Sequence, residues 1–265
     1  MADANNKSMS DRSIEDVTAI LLVGGMGTRL QSVVPSTPKP LARVGNLPFL
    51  ELIVLQLASQ GIRRLVMSTG YLADQIERYF GDGGKWDVII SYSRESTPLG
   101  TAGAVKFAAC LIENASEFVV MNGDSFLELS LCEMVGFHRK NKGLATMAVR
   151  GVANSARFGT VHIDALQRIV GFNEKTGAEV PGVINGGVYV FDQRITGLIP
   201  DPPSSLERDV FPHVLDLGVY AFEQHGLFID IGTPEDFTRA QGLCDRLYQA
   251  TGTKYRACPE ILPRR

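Results

Sequence analysis

The sequence is poor in cysteine and histidine, with four of each among its 265 residues. No two cysteines have CxxC spacing, and the histidines form no HxxxH pattern. The sequence therefore predicts neither a zinc site nor a disulfide framework. We interpret the cysteines as reduced thiols of a cytoplasmic protein. They are Cys110, Cys132, Cys244 and Cys258.

Long apolar runs and excess positive charge are also missing. No run reaches the roughly 18 apolar residues that a membrane helix needs, and residues 1–16 are too polar for a signal peptide. The net charge of −3 offers no broad basic surface, so we expect neither nucleic acid nor a membrane as a partner. We predict a disordered N-terminal tail at 1–16, one domain at 17–250 and a C-terminal tail at 251–265. A homo-oligomer is left open.

Strand and helix patterns alternate through the first 140 residues. Apolar runs predict strands at 18–23, 64–68, 86–92 and 117–121, and helical periods lie at 49–60, 72–80, 101–112 and 131–141. The second half has more strands with short links, a helix near 205–215, and a last helix that begins at Thr233-Pro234. The pattern predicts an α/β fold with a Rossmann-like, mixed but mainly parallel central sheet flanked by helices.

The glycine-rich stretch LLVGGMGTRL follows the first predicted strand. It fails the Walker A pattern, because Gly27 is followed by Thr28-Arg29, and it lacks the third glycine of a dinucleotide-binding loop. Its glycines still let backbone N–H groups approach an anion closely. Arg29 adds a permanent, planar charge, and Lys39 lies between two prolines that restrict its position. The stretch therefore predicts a polyphosphate site.

Seven further motifs recur in a fixed order along the chain. They are PKPLARV (38–44), PLGTAGAV (98–105), NGD (122–124), FGTV (158–161), EK (174–175), NGGVYVF (185–191) and FIDIGTPEDF (228–237). With GGMGTRL, this set resembles the sugar-1-phosphate nucleotidyltransferases over residues 17–245. The resemblance implies a GT-A-like fold, with a nucleotide-binding half at 17–140 and a sugar-binding half at 141–250. It also implies the reaction of an NTP with a sugar 1-phosphate to give an NDP-sugar and pyrophosphate.

The resemblance assigns roles to particular residues. Arg29, Lys39 and Asp124 would be catalytic, and Asp124 and Asp230 would bind Mg²⁺, which suits carboxylate and phosphate oxygens. The implied nucleotide-binding residues are Leu22, Gly24, Gly25, Gly27, Thr28, Glu95, Pro98, Gly100 and Thr101. The implied sugar-phosphate-binding residues are Asn122, Gly159, Glu174, Lys175, Asn185 and Gly186.

The identity of the base depends on Glu95. A carboxylate can accept both the N1–H and N2–H₂ donors of guanine, whereas uracil and thymine offer one N–H, so Glu95 favours GTP. The motif combination most resembles D-glycero-α-D-manno-heptose 1-phosphate guanylyltransferases, which make GDP-heptose for surface polysaccharide. Three alternatives stay open: a mannose-1-phosphate guanylyltransferase, a short uridylyl- or thymidylyltransferase for a hexose or muramic acid 1-phosphate, and a non-catalytic regulatory homologue.

Overall fold

The computed structural model describes residues 13–113, 115–173 and 177–252. A nine-stranded mixed sheet forms its centre, with two short two-stranded sheets beside it. The strands are β1 (Thr18–Leu22), β2 (Arg43–Val44), β3 (Leu47–Pro48), β4 (Arg64–Thr69), β5 (Ile89–Arg94), β6 (Glu117–Asn122), β7 (Ser125–Leu127), β8 (Ala145–Val152), β9 (Thr160–Ile163), β10 (Ile169–Asn173), β11 (Gly182–Asp192), β12 (Val219–Glu223) and β13 (Phe228–Asp230). The α-helices are α1 (Phe49–Ser59), α2 (Ala73–Phe80), α3 (Gly100–Ala109), α4 (Leu131–Asn141), α5 (Phe211–Val214), α6 (Pro234–Gly242) and α7 (Cys244–Ala250).

The order of the strands brings two loops to one edge of the sheet. The main path runs β10-β9-β11-β6-β1-β4-β5, and β8 pairs with both β11 and β12. Strand β1 lies parallel to β4 and β6, with Leu22 opposite Asn122. The loops that follow β1 and β6 therefore leave the sheet side by side, at the carboxyl ends where ligands bind in open α/β sheets.

Both faces of the sheet are covered by helices. Ala19 and Leu21 of β1 belong to a core cluster shared with α1, α2, α4 and α7, whereas Ile20 packs in a second cluster with α3 and α5. A strand buried on both faces is apolar at every position. This explains why β1 reads as a continuous apolar run.

The last two helices pack on the first half of the chain. Tyr248 of α7 donates its hydroxyl to the carbonyl oxygen of Val44 (2.9 Å) and accepts the N–H of Asn46 (2.8 Å). Gln241 of α6 donates to the carbonyl oxygen of Arg43 (2.7 Å). The helices thereby hold the β2–β3 hairpin, which follows Lys39 closely. These helices lie in the predicted sugar-binding half at 141–250, and their contacts with the hairpin join them to the nucleotide-binding half. The division into two halves stays a prediction.

Several sequence-based boundaries need correction. The strand predicted at 86–92 begins only at Ile89, because Asp87 has a left-handed backbone (φ 57°) that interrupts an extended chain. The helix predicted at 205–215 is divided into a π turn (Leu206–Val210), α5 and a 3₁₀ turn (Leu215–Leu217). Pro212 lies in the first turn of α5 and has no N–H to continue the preceding turn.

The described residues include the end of the predicted N-terminal tail. Ile14–Asp16, inside the predicted N-terminal tail, forms a 3₁₀ turn, and Ile14 packs against the core. Residues 1–12 and 253–265 lie outside the described residues. Within the described ranges, every helix is too short or too polar to cross a membrane.

Candidate active site

The glycine-rich loop lies directly after β1. Gly27 has a left-handed backbone (φ 59°), and a Cβ atom there would lie 2.8 Å from the Cβ of Lys39. Glycine therefore satisfies the backbone conformation and also lets the Lys39 stem approach. A 3₁₀ turn, Thr28–Leu30, begins immediately afterwards and carries Arg29. Arg29, which follows the loop, and Lys39, which packs against it, therefore lie at the same edge of the sheet.

A cavity of about 430 Å³ opens at this edge. All nine residues with a predicted nucleotide-binding role line it, together with Arg29, Lys39, Asp124 and Asn122. The remaining lining residues were not predicted; they are Val23, Met26, Pro40, Ala104 and Gly232. Ala104 lies four residues after Gly100, so the helical period of α3 could have indicated it. The cavity combines an apolar wall with a few charged groups, as ligand sites commonly do.

Lys39, Asp124 and Asp230 form a charged cluster beside the cavity. The Lys39 ammonium lies 2.7 Å from Asp124 Oδ2, and its side chain is only 10% exposed. Strand β13 pairs with β7 so that Asp230 lies opposite Ser125, the residue after Asp124. The Ile231 N–H donates to the Asp124 carbonyl oxygen (3.0 Å), which fixes the two segments together.

The two aspartates are electrostatically coupled. Burial raises the pKa of the Asp230 carboxyl, and the negative charge of Asp124 raises this pKa further. The Lys39 charge and the Gly232 N–H (2.6 Å from Oδ1) act in the opposite direction. The net rise in the pKa of Asp230 reflects burial first and the neighbouring Asp124 charge second.

The cluster fits a magnesium ion. Mg²⁺ is commonly held by one or two protein carboxylates, with water and substrate phosphates completing its coordination. Asp124 and Asp230 supply that number of ligands, and their mutual repulsion would be relieved by a cation. Within the described residues, no group of three or more histidine, cysteine or acidic side chains is arranged to hold a metal.

Glu95 lines the cavity, and both of its oxygens also contact the protein. Oε1 accepts from the Ser68 hydroxyl (3.0 Å), and Oε2 accepts from the Leu99 N–H (3.1 Å). A carboxylate has about four acceptor positions, so these bonds leave capacity for a base. The sequence did not indicate that Glu95 also fixes the turn that leads to Gly100.

The loop before α3 is held by a distant segment. Gly100 has φ 74°, and a Cβ there would overlap the Ser204 carbonyl oxygen. That oxygen accepts the Ala102 N–H (2.9 Å), and Thr101 Oγ1 accepts the Leu206 N–H (2.9 Å). The residues around 204–206 therefore position two predicted nucleotide-binding residues. Sequence reasoning missed this support.

Three of the predicted sugar-side residues, Asn185, Gly186 and Gly159, lie outside the cavity lining. Asn185 donates to the Tyr189 hydroxyl (2.6 Å) and accepts the Gly187 N–H (2.9 Å). A Cβ on Gly186 would meet Leu127 and Ala148, so its small size serves close packing. Neither these two residues nor Gly159 line the 430 Å³ cavity. Glu174 and Lys175 lie outside the described residues.

The comparisons with known proteins agree on one family. The family model described as "Nucleotidyl transferase" matches residues 18–245. The chain therefore belongs to the nucleotidyl transferase family, and the resemblance predicted from the motifs is confirmed.

Two curated relatives match most of this chain, but the chain spans different shares of their lengths. The chain is 40% identical over 227 residues to a D-glycero-α-D-manno-heptose 1-phosphate guanylyltransferase of Aneurinibacillus thermoaerophilus, covering 84% of this chain and 96% of the relative. It is 37% identical over 227 residues to a mannose-1-phosphate guanylyltransferase of Mycobacterium tuberculosis, covering 84% of this chain. In that comparison the match spans only 63% of the relative's length.

A solved structure shares the fold. HddC from Yersinia pseudotuberculosis matches with a TM-score of 0.77 and 33% sequence identity, covering 87% of this chain and 99% of the other. A structure of HddC complexed with GMP-PN matches with a TM-score of 0.76 at 32% identity, covering 85% of this chain and 98% of that one. The predicted α/β fold with a mixed, mainly parallel sheet is confirmed.

Proposed function

We propose that this protein transfers GMP from GTP to D-glycero-α-D-manno-heptose 1-phosphate, giving GDP-heptose and pyrophosphate. The observation that carries the proposal is that Arg29, Lys39 and Asp124 line one cavity with the whole predicted nucleotide set. The 40% identity to a heptose 1-phosphate guanylyltransferase, over nearly its full length, supports the choice of substrates.

The reaction requires an anion to attack an anion. A phosphate oxygen of the sugar phosphate attacks the α-phosphorus in line, and the bond to the leaving pyrophosphate breaks. A phosphate monoester has a second pKa of about 6, so it is mostly dianionic at neutral pH and needs no general base. Catalysis then depends on positioning and on stabilising negative charge.

The cations of the site have separate tasks in this mechanism. Arg29 follows the glycine loop, where its planar guanidinium suits the β- and γ-phosphates and the departing pyrophosphate. The Lys39 ammonium lies beside Asp124 and close to Gly232 at the cavity wall. Its position suits the α-phosphate and the phosphate of the sugar.

Asp124 and Asp230 would hold Mg²⁺, which supplies charge neutralisation at the reacting phosphate oxygens when it is bound. The proximity of both carboxylates to a single ammonium, Lys39, supports this assignment, because a bound cation would stabilise the second negative charge. The further role of Lys175 in holding the sugar phosphate rests on the resemblance alone.

The choice of base rests on Glu95 and on the relatives. The carboxylate lies at the cavity wall and retains acceptor capacity for the N1–H and N2–H₂ groups of guanine. Both curated relatives described above are named as guanylyltransferases. Mannose 1-phosphate is the second candidate substrate, because the mycobacterial relative is named for it and is only slightly less similar.

We further propose that the protein works in the cytoplasm, where GTP is present, and that its product enters surface polysaccharide synthesis, including capsule. The presence of Arg29, Lys39, Asp124 and Asp230 together favours an enzyme over a regulatory homologue that only binds a nucleotide-sugar. A homo-oligomer is compatible with this function and is not required by the site.

A pyrophosphate-release assay tests the proposal. Each of GTP, ATP, UTP and dTTP is combined with heptose 1-phosphate and with mannose 1-phosphate, with Mg²⁺ and with a chelator. We expect the highest kcat/KM for GTP with heptose 1-phosphate and loss of release with the chelator. A preference for UTP or dTTP would overturn the guanylyl assignment, and a preference for mannose 1-phosphate would favour the second candidate. GTP binding without release from any pair would favour the regulatory homologue.

A further inference from the structure

The loop between β8 and β9 lies against the segment that follows Asp230. The loop comprises residues 153–159 and ends at Gly159, a predicted sugar-side residue. The facing segment runs from β13, which ends at Asp230, into the first turn of α6. The two segments are almost 80 residues apart in sequence, so their contact is a tertiary feature.

An ion pair joins the two segments. Arg157 Nη2 donates to Asp236 Oδ2, and the Asp236 side chain is only 6% exposed. Thr233 Oγ1 donates to the same oxygen (2.8 Å), and the Arg239 guanidinium lies 3.4 Å from Oδ1. A charged hydrogen bond to a nearly buried carboxylate is stronger and more directional than a surface ion pair.

Aromatic packing supports the same contact. The Arg157 guanidinium lies over the Phe158 ring (5.8 Å to its centre), and that ring meets Phe228 of β13 edge-on at 6.2 Å. Phe228 is two residues before Asp230. The loop is therefore attached both to the strand that bears Asp230 and to the helix that follows it.

The beginning of α6 has its own cap and does not depend on Arg157. Thr233 caps this helix by accepting the Asp236 N–H (3.2 Å), and acidic residues in its first turn suit the helix dipole. Arg157 adds a link to a different part of the chain. The charge of Arg157 therefore fixes the position of the 153–159 loop against α6 and contributes little to the stability of α6 itself.

We propose that Arg157 is a positioning residue whose pair with Asp236 holds the 153–159 loop, and with it the sugar-side Gly159, at a fixed place relative to Asp230. This inference rests on the proposed function, because it takes Gly159 and Asp230 as parts of the sugar and metal sites. Residues 153–159 and 233–239 are absent from the lining of the 430 Å³ cavity. Loss of the link therefore acts on the sugar phosphate and leaves nucleotide binding unchanged.

The test compares Arg157→Ala and Arg157→Lys with a matched control, Arg194→Ala. Arg194 also pairs with an aspartate, Asp192 (2.8 Å), but this pair is exposed and lies outside the site. For Arg157→Ala we expect kcat/KM for the sugar phosphate to fall about tenfold or more, chiefly through a higher KM, since a misplacement of about 1 Å can cost 10²-fold in rate. Arg157→Lys should recover part of the loss, and GTP binding measured by calorimetry should change less than about twofold in every variant.

Two readouts separate this inference from the proposed function. Calorimetric binding of the sugar phosphate to the protein loaded with a GTP analogue whose α–β bridge is a methylene group does not involve turnover. Amide hydrogen exchange of residues 153–159 does not involve turnover either. We expect weaker sugar-phosphate binding and faster exchange in Arg157→Ala, with the control unchanged. Equal sugar-phosphate affinity in Arg157→Ala and the wild type, or equal rises in both KM values, would overturn the inference. Absence of pyrophosphate release by the wild type would overturn the proposed function instead.

Discussion

The nucleotide side and the sugar side of the site are built in different ways. On the nucleotide side, the turns after β1 and before α3 are fixed by close backbone contacts at Gly27 and Gly100. On the sugar side, Asn185 is held within strand β11, by the Tyr189 hydroxyl and the Gly187 N–H. The nucleotide side is thus a cavity shaped mainly by backbone conformation. The described sugar-side groups are instead held by side chains, within β11 at Asn185 and between distant segments at Arg157 and Asp236.

The largest expected effect is on the nucleotide side and comes from charge. We expect Arg29→Ala to lower kcat/KM by about 10²–10³-fold, the cost of removing one donor that stabilises developing negative charge. The measurement is steady-state pyrophosphate release, with circular dichroism to compare folding. Arg78→Ala, an exposed arginine of α2, is the control and should keep normal turnover. Near-normal turnover in Arg29→Ala would remove its proposed role at the pyrophosphate.

The second prediction tests whether the nucleotide side is preformed by backbone conformation. Gly27→Ala forces a Cβ into a left-handed position and against Lys39, so we expect the free energy of unfolding to fall by about 1–2 kcal/mol. Gly25→Ala is the matched control, because a Cβ there meets nothing within 4 Å. Chemical denaturation of the free protein measures both variants. Equal stability of the two would show that the Gly27 contact relaxes without cost.

The third prediction tests the side-chain links of the sugar side. Tyr189 is fully buried and accepts a hydrogen bond from Asn185, and its hydroxyl lies 3.4 Å from Glu207. Tyr189→Phe leaves the Asn185 amide without this partner, which costs about 1 kcal/mol of stability. Because Asn185 loses its orientation, we also expect a higher KM for the sugar phosphate and an unchanged KM for GTP.

The control for this variant is Tyr92→Phe. Tyr92 donates to the Gly81 carbonyl oxygen (2.6 Å), well away from the sugar-side residues, so the substitution removes a hydroxyl bond without touching the site. Its KM values should match the wild type. A rise in the GTP KM of Tyr189→Phe equal to that for the sugar phosphate would contradict the separation between the two sides.

The nucleotide side could be predicted from sequence because its signals are local. Gly27, Arg29 and Lys39 occur within 13 residues, and each has a chemical reason to follow a buried strand. Glycine spacing, proline spacing and residue charge are visible without any knowledge of tertiary contacts. The alternation of strands and helices then predicts that Asp124 lies at the same edge of the sheet.

The supporting contacts could not be predicted in this way. The contact of Gly100 with Ser204 and the pair of Arg157 with Asp236 join segments that are far apart in sequence. Their residues carry no local pattern, since a lone arginine or serine is common on any surface. The same reason explains why the packing of α7 on the β2–β3 hairpin was missed. Local motifs identify the candidate catalytic and binding residues, whereas long-range packing determines how these residues are positioned relative to one another.

The smallest expected effect is away from the site, where α4 packs on β8. His138 of α4 is buried, with Nδ1 3.0 Å from the Thr146 hydroxyl of β8, and burial lowers the pKa of its imidazole. Its folded-state pKa lies below the unfolded value of about 6.5, so the unfolded chain binds the proton more readily. Stability contributed by neutral His138 is therefore complete above about pH 6.5 and declines as the pH falls below that value.

Urea denaturation at pH 7.5 and pH 5.5 measures this effect. We expect the wild type to lose more free energy of unfolding between these pH values than His138→Gln, which keeps a polar group of similar reach but does not titrate. Both proteins contain the same other ionisable groups, so their difference isolates the histidine. If the two proteins lose stability in parallel, His138 takes up its proton without unfolding, and the contact between α4 and β8 is more accessible to solvent than the burial of His138 indicates.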